Sequence, residues 1–230
     1  MSIFSALVDF TSGYSPLESY LFDRLCDTAT AALHAYAFAG ITPSIEPGMR
    51  VLDVGCGGGR FAIRLAERYP EISVVGLDLS PEQIARAQRR GVELGERVRW
   101  VEGDAVDLPF DSGEFDLVYS LGSLKHWPDR ARGLRECVRV LRPGGRLWVA
   151  EGDRGCRHED VHAFISTWNI PAKLRPLFAA FYRVVVVGES LDLDDARALL
   201  DEIAGLDATL ERGEGLPMWV IAGHKQIDAG

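Results

Sequence analysis

A short apolar run from Met49 to Val54 passes directly into Gly55-Cys56-Gly57-Gly58-Gly59, and this junction constrains the fold more than any other part of the chain. Glycines at the end of an apolar segment let the backbone turn sharply and let another group come close to it. A helix that follows such a turn points its free N–H groups and the positive end of its dipole at the same place. Phe61, Ile63, Leu65 and Ala66 supply that helix, which must stop by Pro70, and Ile72 to Leu77 is a second apolar run of strand length.

The alternation then repeats. Ser80-Pro81-Glu82-Gln83 has the S-x-x-Q spacing of a capping box, with proline at the first helical position, and starts a helix expected to run to about Glu93. Val98 to Val101, Phe115 to Ser120 and Arg146 to Ala150 read as further strands. A helix from about Arg130 to Leu141 precedes the last of them, and Gly144-Gly145 ends that helical region. Strands alternating with helices imply an α/β domain with a mostly parallel sheet, whose right-handed crossovers put a ligand at the carboxyl ends of the strands.

Outside this block the pattern changes. Residues 1–45 read as a helical lid, because Leu17, Leu21, Leu25, Ala29 and Ala32 recur near helical spacing while Asp23, Arg24 and Asp27 stay polar. Residues 46–152 form the core. Residues 153–205 form a substrate-side insertion, with helical stretches between about 158 and 183 and from Asp194 to Ile203. Ala208 to Arg212 and Met218 to Gly223, joined by Gly213-Glu214-Gly215, read as an antiparallel β-hairpin within a terminal segment 206–225. One domain of 230 residues is the expectation, with seven strands in its sheet.

Composition narrows the partners. A formal charge of −9 disfavours a nucleic-acid backbone unless basic residues share a face. Arg86, Arg89 and Arg90 do cluster, at a spacing that fits the solvated face of a helix. The four cysteines Cys26, Cys56, Cys137 and Cys156 show no metal-type C-x-x-C spacing and suit a reducing cytoplasm. No basic leader with a long apolar run and no membrane span is read from the chain, so no membrane partner is expected.

The glycine turn suits both dinucleotides and S-adenosylmethionine. In the register Gly55-x-Gly57-x-x, however, Arg60 stands where the dinucleotide fingerprint needs its third glycine. Asp53, just before the turn, would face a pyrophosphate unfavourably, whereas it can hold the ammonium of a methionine moiety directly or through water.

Val51-Leu52-Asp53-Val54-Gly55-Cys56-Gly57-Gly58-Gly59 resembles the first motif of the class I S-adenosylmethionine-dependent methyltransferases, of the small-molecule type. Gly76-Leu77-Asp78-Leu79-Ser80 resembles the second motif and Glu102-Gly103-Asp104-Ala105 the third. Phe115 to Ser120 with His126-Trp127-Pro128-Asp129 resembles the fourth-strand region, and Val140-Leu141-Arg142-Pro143-Gly144-Gly145 the motif before strand five. The resemblance spans about residues 45–152 in full order. It implies a Rossmann-like sandwich, S-adenosyl-L-methionine as cofactor, and methyl transfer to a small molecule at oxygen, nitrogen, carbon or sulfur, of which oxygen is the expectation on frequency alone. It also implies that Asp78 bonds the ribose hydroxyls and that Asp104 meets the adenine amino group. Asp53, Gly55, Cys56, Gly57, Leu79, Ala105 and Ser120 complete the expected cofactor site, with the backbone N–H of Cys56 facing the ligand.

Methyl transfer from a sulfonium needs in-line alignment, and a neutral nucleophile must also lose a proton. His126 is the candidate base, since it follows strand four on the ligand edge and histidine titrates in the useful range. Its other reading is a residue that shapes the pocket beside Trp127. Tyr14, Trp127, Glu151 and Asp153 are the candidate acceptor contacts, with Trp168 and Phe181 as lid walls. Asp116 is read as structural. His158-Glu159-Asp160-Val161-His162 matches H-E-x-x-H, but a solvated helix face is the better reading and no metal is expected. A protein that keeps the cofactor site without the chemistry is the rival reading, and a nicotinamide oxidoreductase the third.

Overall fold

The computed structural model describes residues 31–227. Tyr14, Cys26 and most of the expected helical lid therefore lie outside the described residues. Seven strands form one sheet: β1 (Arg50–Val54), β2 (Ser73–Asp78), β3 (Val98–Glu102), β4 (Phe115–Leu121), β5 (Leu141–Gly152), β6 (Leu206–Arg212) and β7 (Met218–Lys225). Their order is β3-β2-β1-β4-β5-β7-β6. The first five pair in parallel, and β7 runs antiparallel between β5 and β6. The expected mostly parallel seven-stranded sheet with an antiparallel terminal hairpin is the fold observed.

Period-two alternation assigns each residue of a buried strand to a face. Val51 of β1 packs with Leu65, Leu117 and Trp148 beneath α1 (31–41) and α2 (Arg60–Arg68). Leu52 and Val54 turn to the opposite face and join Leu134, Leu147 and Trp219 beneath α4 (Arg130–Val140) and α7 (Leu193–Asp201). Beside α2, α3 (Pro81–Arg90) packs on β2 and β3. In the insertion, α5 (His158–Ser166) and α6 (Arg175–Phe181) share a small cluster of their own around Phe164, Ile165 and Tyr182.

Helix starts follow the local chemistry. Ser80, Asp129 and Asp192 each cap a helix by accepting the backbone N–H three residues on. The described part of the amino-terminal segment is a core helix: Phe38 lies 4.7 Å from Phe61, ring to ring, and Arg146 donates to the Gly40 carbonyl at 2.8 Å, satisfying the helix end.

Several boundaries differ from the sequence reading, three of them at α3, α7 and β5. α3 stops at Arg90 because Gly91 caps it, and Gly95, with φ of 56°, bends the following turns. α7 ends at Asp201, short of Ile203. Strand β5 begins at Leu141, not Arg146. Leu141 already pairs with Phe115, and the register then slips so that Leu117 meets Arg146, which accommodates Pro143 and the two glycines as an irregularity within the strand. No helix among the described residues is long and apolar enough to cross a membrane.

Trp219 is fully buried in the β7 core and donates its indole N–H to the Leu191 carbonyl at 3.1 Å. Trp219→Ala removes the ring and leaves that carbonyl without its donor. We expect a loss of about 3–5 kcal/mol in unfolding free energy, measured by urea denaturation.

Candidate functional site

The carboxyl ends of β1, β2 and β4 meet at the glycine turn. Gly55 and Cys56 both donate their N–H groups to the Leu77 carbonyl, at 2.8 and 2.9 Å, and Gly57 donates to Asp78 Oδ2 at 2.8 Å. The N–H of Cys56, expected to face a ligand, is thus spent in fastening the turn to β2. The turn offers space in place of these amides. Gly57 has φ of 51°, and a Cβ built on it would meet nothing within 4 Å, so the open side of the turn lies at this residue.

Asp78 ends β2 and divides its carboxylate between two backbone donors, Gly57 on Oδ2 and the Ser80 N–H on Oδ1 at 2.9 Å. Burial raises its pKa, while these two bonds oppose the rise. Asp53 is only 3% exposed. Burial pushes its carboxyl up to about 8, so the acid is mostly neutral at pH 7 in the free protein. Its register partners are Gly76 on β2 and Tyr119 on β4. The Tyr119 hydroxyl is buried without a hydrogen-bond partner of good geometry, yet it lies near enough to Asp53 to interact with it, and burial raises its own pKa strongly.

The remaining cofactor candidates line the same edge. Leu79 follows Asp78 and is 65% exposed, an apolar surface beside a polar one. Asp104 closes a local turn, accepting the Val106 N–H on Oδ1 at 3.1 Å, and Ala105 is buried beneath it. Glu136 and Arg139 of α4 hold this loop through the backbone N–H and carbonyl of Leu108. Ser120 is fully buried and shares a 2.9 Å hydrogen bond with Ser123.

Ser123 is a site residue the sequence reading missed. Its hydroxyl lies against Gly55, where any Cβ would collide with it, and it also bonds the Val54 carbonyl and receives the Trp127 indole N–H. The S-x-x-S spacing of Ser120 and Ser123 was the available signal.

The acceptor candidates divide into committed and exposed groups. Glu151 is buried and accepts the Lys125 N–H at 3.0 Å and the Gly152 N–H at 2.8 Å. Asp153 is buried and pairs with Arg212 at 3.0 Å while accepting the Gly155 N–H. The Trp127 ring packs against Gly133 of α4 and belongs to the core. His126 is exposed at the end of the 3-10 turn Leu124–His126, next to the carboxyl end of β4. Trp168 lies in the insertion cluster, with Phe178 6.3 Å away ring to ring, and Phe181 is 39% exposed on α6. Asp116 accepts the Arg50 N–H at 2.7 Å and pairs with Arg142, as a structural residue would. His158, Glu159 and His162 are exposed on α5, and among the described residues no group of three or more His, Cys, Asp or Glu side chains is placed to hold a metal.

Comparison with known proteins agrees with this geometry. The family described as methyltransferase domain matches residues 51–145. The chain is 43% identical over 115 residues to 27-O-demethylrifamycin SV methyltransferase of Amycolatopsis mediterranei, covering 49% of this chain and 42% of that protein. It is 43% identical over 102 residues to demethylmenaquinone methyltransferase of Thermus thermophilus, covering 44% and 46%. The chain thus spans about half the length of the curated relatives it matches. Among solved structures, a Methanococcus maripaludis protein assigned to the S-adenosyl-L-methionine-dependent methyltransferases shares the fold, with a TM-score of 0.73 at 22% identity over 96% of this chain and 98% of that one. Residues 51–145 therefore match the methyltransferase domain family, and the chain shares the fold of that solved structure.

Proposed function

We propose that the chain binds S-adenosylmethionine across the carboxyl ends of β1, β2 and β3 and transfers its methyl group to an oxygen of a small-molecule acceptor. The observation that carries this reading is the open side of Gly57, set between a buried neutral acid, Asp53, and a bonded acid at a strand end, Asp78. A pyrophosphate would gain little here, because the amides of Gly55, Cys56 and Gly57 are already bonded. A ligand with an ammonium, ribose hydroxyls and a flat base finds a partner for each. Asp53 takes the ammonium, and Asp78 keeps lone pairs for the ribose, since each of its oxygens accepts one backbone N–H. Asp104 takes the adenine amino group, and exposed Leu79 covers the base.

When bound, the donor supplies a sulfonium-activated methyl group for in-line displacement. The chain's task is alignment, water exclusion and handling of the acceptor proton. Glu151 and Asp153 hold the acceptor-side loops through their internal bonds. We assign the proton transfer to His126, which is exposed on the same edge in the turn that follows β4. The relative named for 27-O-demethylrifamycin SV supports an oxygen on a small molecule as acceptor. The charge of −9 argues against a nucleic acid, and the free thiols of Cys56, Cys137 and Cys156 suit a cytoplasmic setting.

Calorimetric titration with S-adenosylhomocysteine, followed by methyl-transfer assays on a panel of hydroxylated small molecules, tests the reading. Tight NADH binding without S-adenosylhomocysteine binding would overturn it, and cofactor binding with no turnover on any acceptor would favour the non-catalytic reading.

Three outcomes are expected. Gly57→Val fills the open side of the turn and abolishes S-adenosylhomocysteine binding, whereas Asp78→Ala weakens it by about 100-fold through lost charge-assisted bonds. The second is a pH dependence: the free protein holds the Asp53 proton below about pH 8, and a ligand ammonium favours the carboxylate, so binding releases a proton. Affinity therefore rises between pH 6 and 8, by at most about tenfold per unit, and levels off above. Asp53→Asn flattens that profile. The third concerns the base: His126→Ala lowers turnover by about 100-fold with cofactor affinity unchanged, as read by steady-state kinetics at saturating donor.

A further inference from the structure

The glycine turn is held from two sides of α3. Before the helix, at the end of β2, Asp78 accepts the Gly57 N–H and, on its other oxygen, the N–H of the helix cap Ser80. At its end, Arg90 turns back and donates from Nη1 to the Gly58 carbonyl at 2.9 Å. This guanidinium stands where a Cβ on Gly58 would go, so a side chain there would displace it. Arg90 was grouped by sequence with Arg86 and Arg89 on a solvated face, yet Arg89 is exposed while Arg90 is half-buried against the turn.

A second group supports the turn from below. Trp100 on β3 is the register partner of Gly76. Its indole lies under three glycines: a Cβ on Gly59 would stand 2.8 Å from Cζ3, one on Gly76 2.6 Å from Cε3, and one on Gly91 3.1 Å from Cζ2. The side chains absent from Gly59, Gly76 and Gly91 make the space that the ring fills.

We propose that Arg90 is a positioning residue for the methyl donor: with Trp100 as the floor, it fixes the Gly58 peptide and keeps the open side of Gly57 shaped for the ligand before it binds. The turn carries glycine at Gly55, Gly57, Gly58 and Gly59 and would sample many conformations if left to itself. Asp78 restrains the Gly57 N–H from the end of β2 and Arg90 the Gly58 carbonyl from the end of α3, so two consecutive residues are held from two packed elements. A loop held in its binding geometry loses less freedom on binding, and the gain appears as donor affinity rather than turnover. A bond from a charged donor to a backbone carbonyl is strong enough for this role. The proposal rests on the assignment of the turn to the methyl donor.

The test uses the full chain as wild type and as Arg90→Ala, Arg90→Lys and Arg89→Ala. Two readouts are taken: the S-adenosylhomocysteine dissociation constant, and hydrogen–deuterium exchange of residues 55–63 in the free protein. Arg90→Ala is expected to weaken binding about tenfold, the loss of roughly one charge-assisted hydrogen bond, and to speed exchange in the turn. Arg90→Lys restores most of both, because an ammonium can still donate to the carbonyl. Arg89→Ala makes the same charge change without the contact and leaves both unchanged. Wild-type affinity and exchange in Arg90→Ala, or a lysine variant as defective as the alanine one, would overturn the proposal. If the wild type binds no S-adenosylhomocysteine, the donor assignment fails, and the exchange readout alone still decides whether Arg90 holds the turn.

Discussion

The carbonyl of Leu77 accepts two consecutive N–H groups, from Gly55 and Cys56, and much of the arrangement at the ligand edge depends on that double acceptance. It bends the chain leaving β1 over the end of β2 and delivers the Gly57 N–H to Asp78. A turn of this curvature leaves no space for side chains on its inner side. Ser123 presses on Gly55, Arg90 on Gly58 and Trp100 on Gly59, while Gly57 alone of these glycines faces open space. Three of the four glycines thus answer three different neighbours, and the fourth leaves the turn open.

Charge is distributed around this turn by burial. Asp53 lies deep enough that its proton is retained near neutrality, whereas Asp78, nearer the surface, is steadied by two backbone donors. Two acids so close would repel each other if both were ionised, and leaving one neutral relieves that cost in the free protein. On the proposed reading, an arriving ammonium would ionise Asp53. This division of labour suits a donor with an ammonium at one end and ribose hydroxyls at the other.

The acceptor side follows a different logic. Glu151 and Asp153, which by position look ready to bind a substrate, hold Lys125, Gly152, Gly155 and Arg212 in place. Lys125 in turn reaches the Val186 carbonyl at 2.7 Å, linking the loop after β4 to the insertion. The buried carboxylates thereby join the ends of the parallel strands to residues 153–205, where α5 and α6 keep a small hydrophobic cluster of their own.

The sequence alone determined the sheet, its parallel core and the terminal hairpin, because each rests on local signals: apolar runs of strand length, glycine and proline punctuation, and caps such as Ser80. The placement of Asp53, Asp78 and Asp104 along one sheet edge was legible for the same reason, as each ends a strand or opens a turn within a short motif. What only the tertiary structure decided were contacts between residues far apart in the chain. Nothing local separates Arg90 from Arg89, and nothing in Trp100 announces three glycines in three different segments. Nor does its neighbourhood reveal that Glu151 is spent on Lys125, or that β5 starts at Leu141 by pairing with Phe115. Such partners meet because the sheet brings its strand ends to one edge, and whether a polar group is free to act there depends on what that edge has already bonded to it.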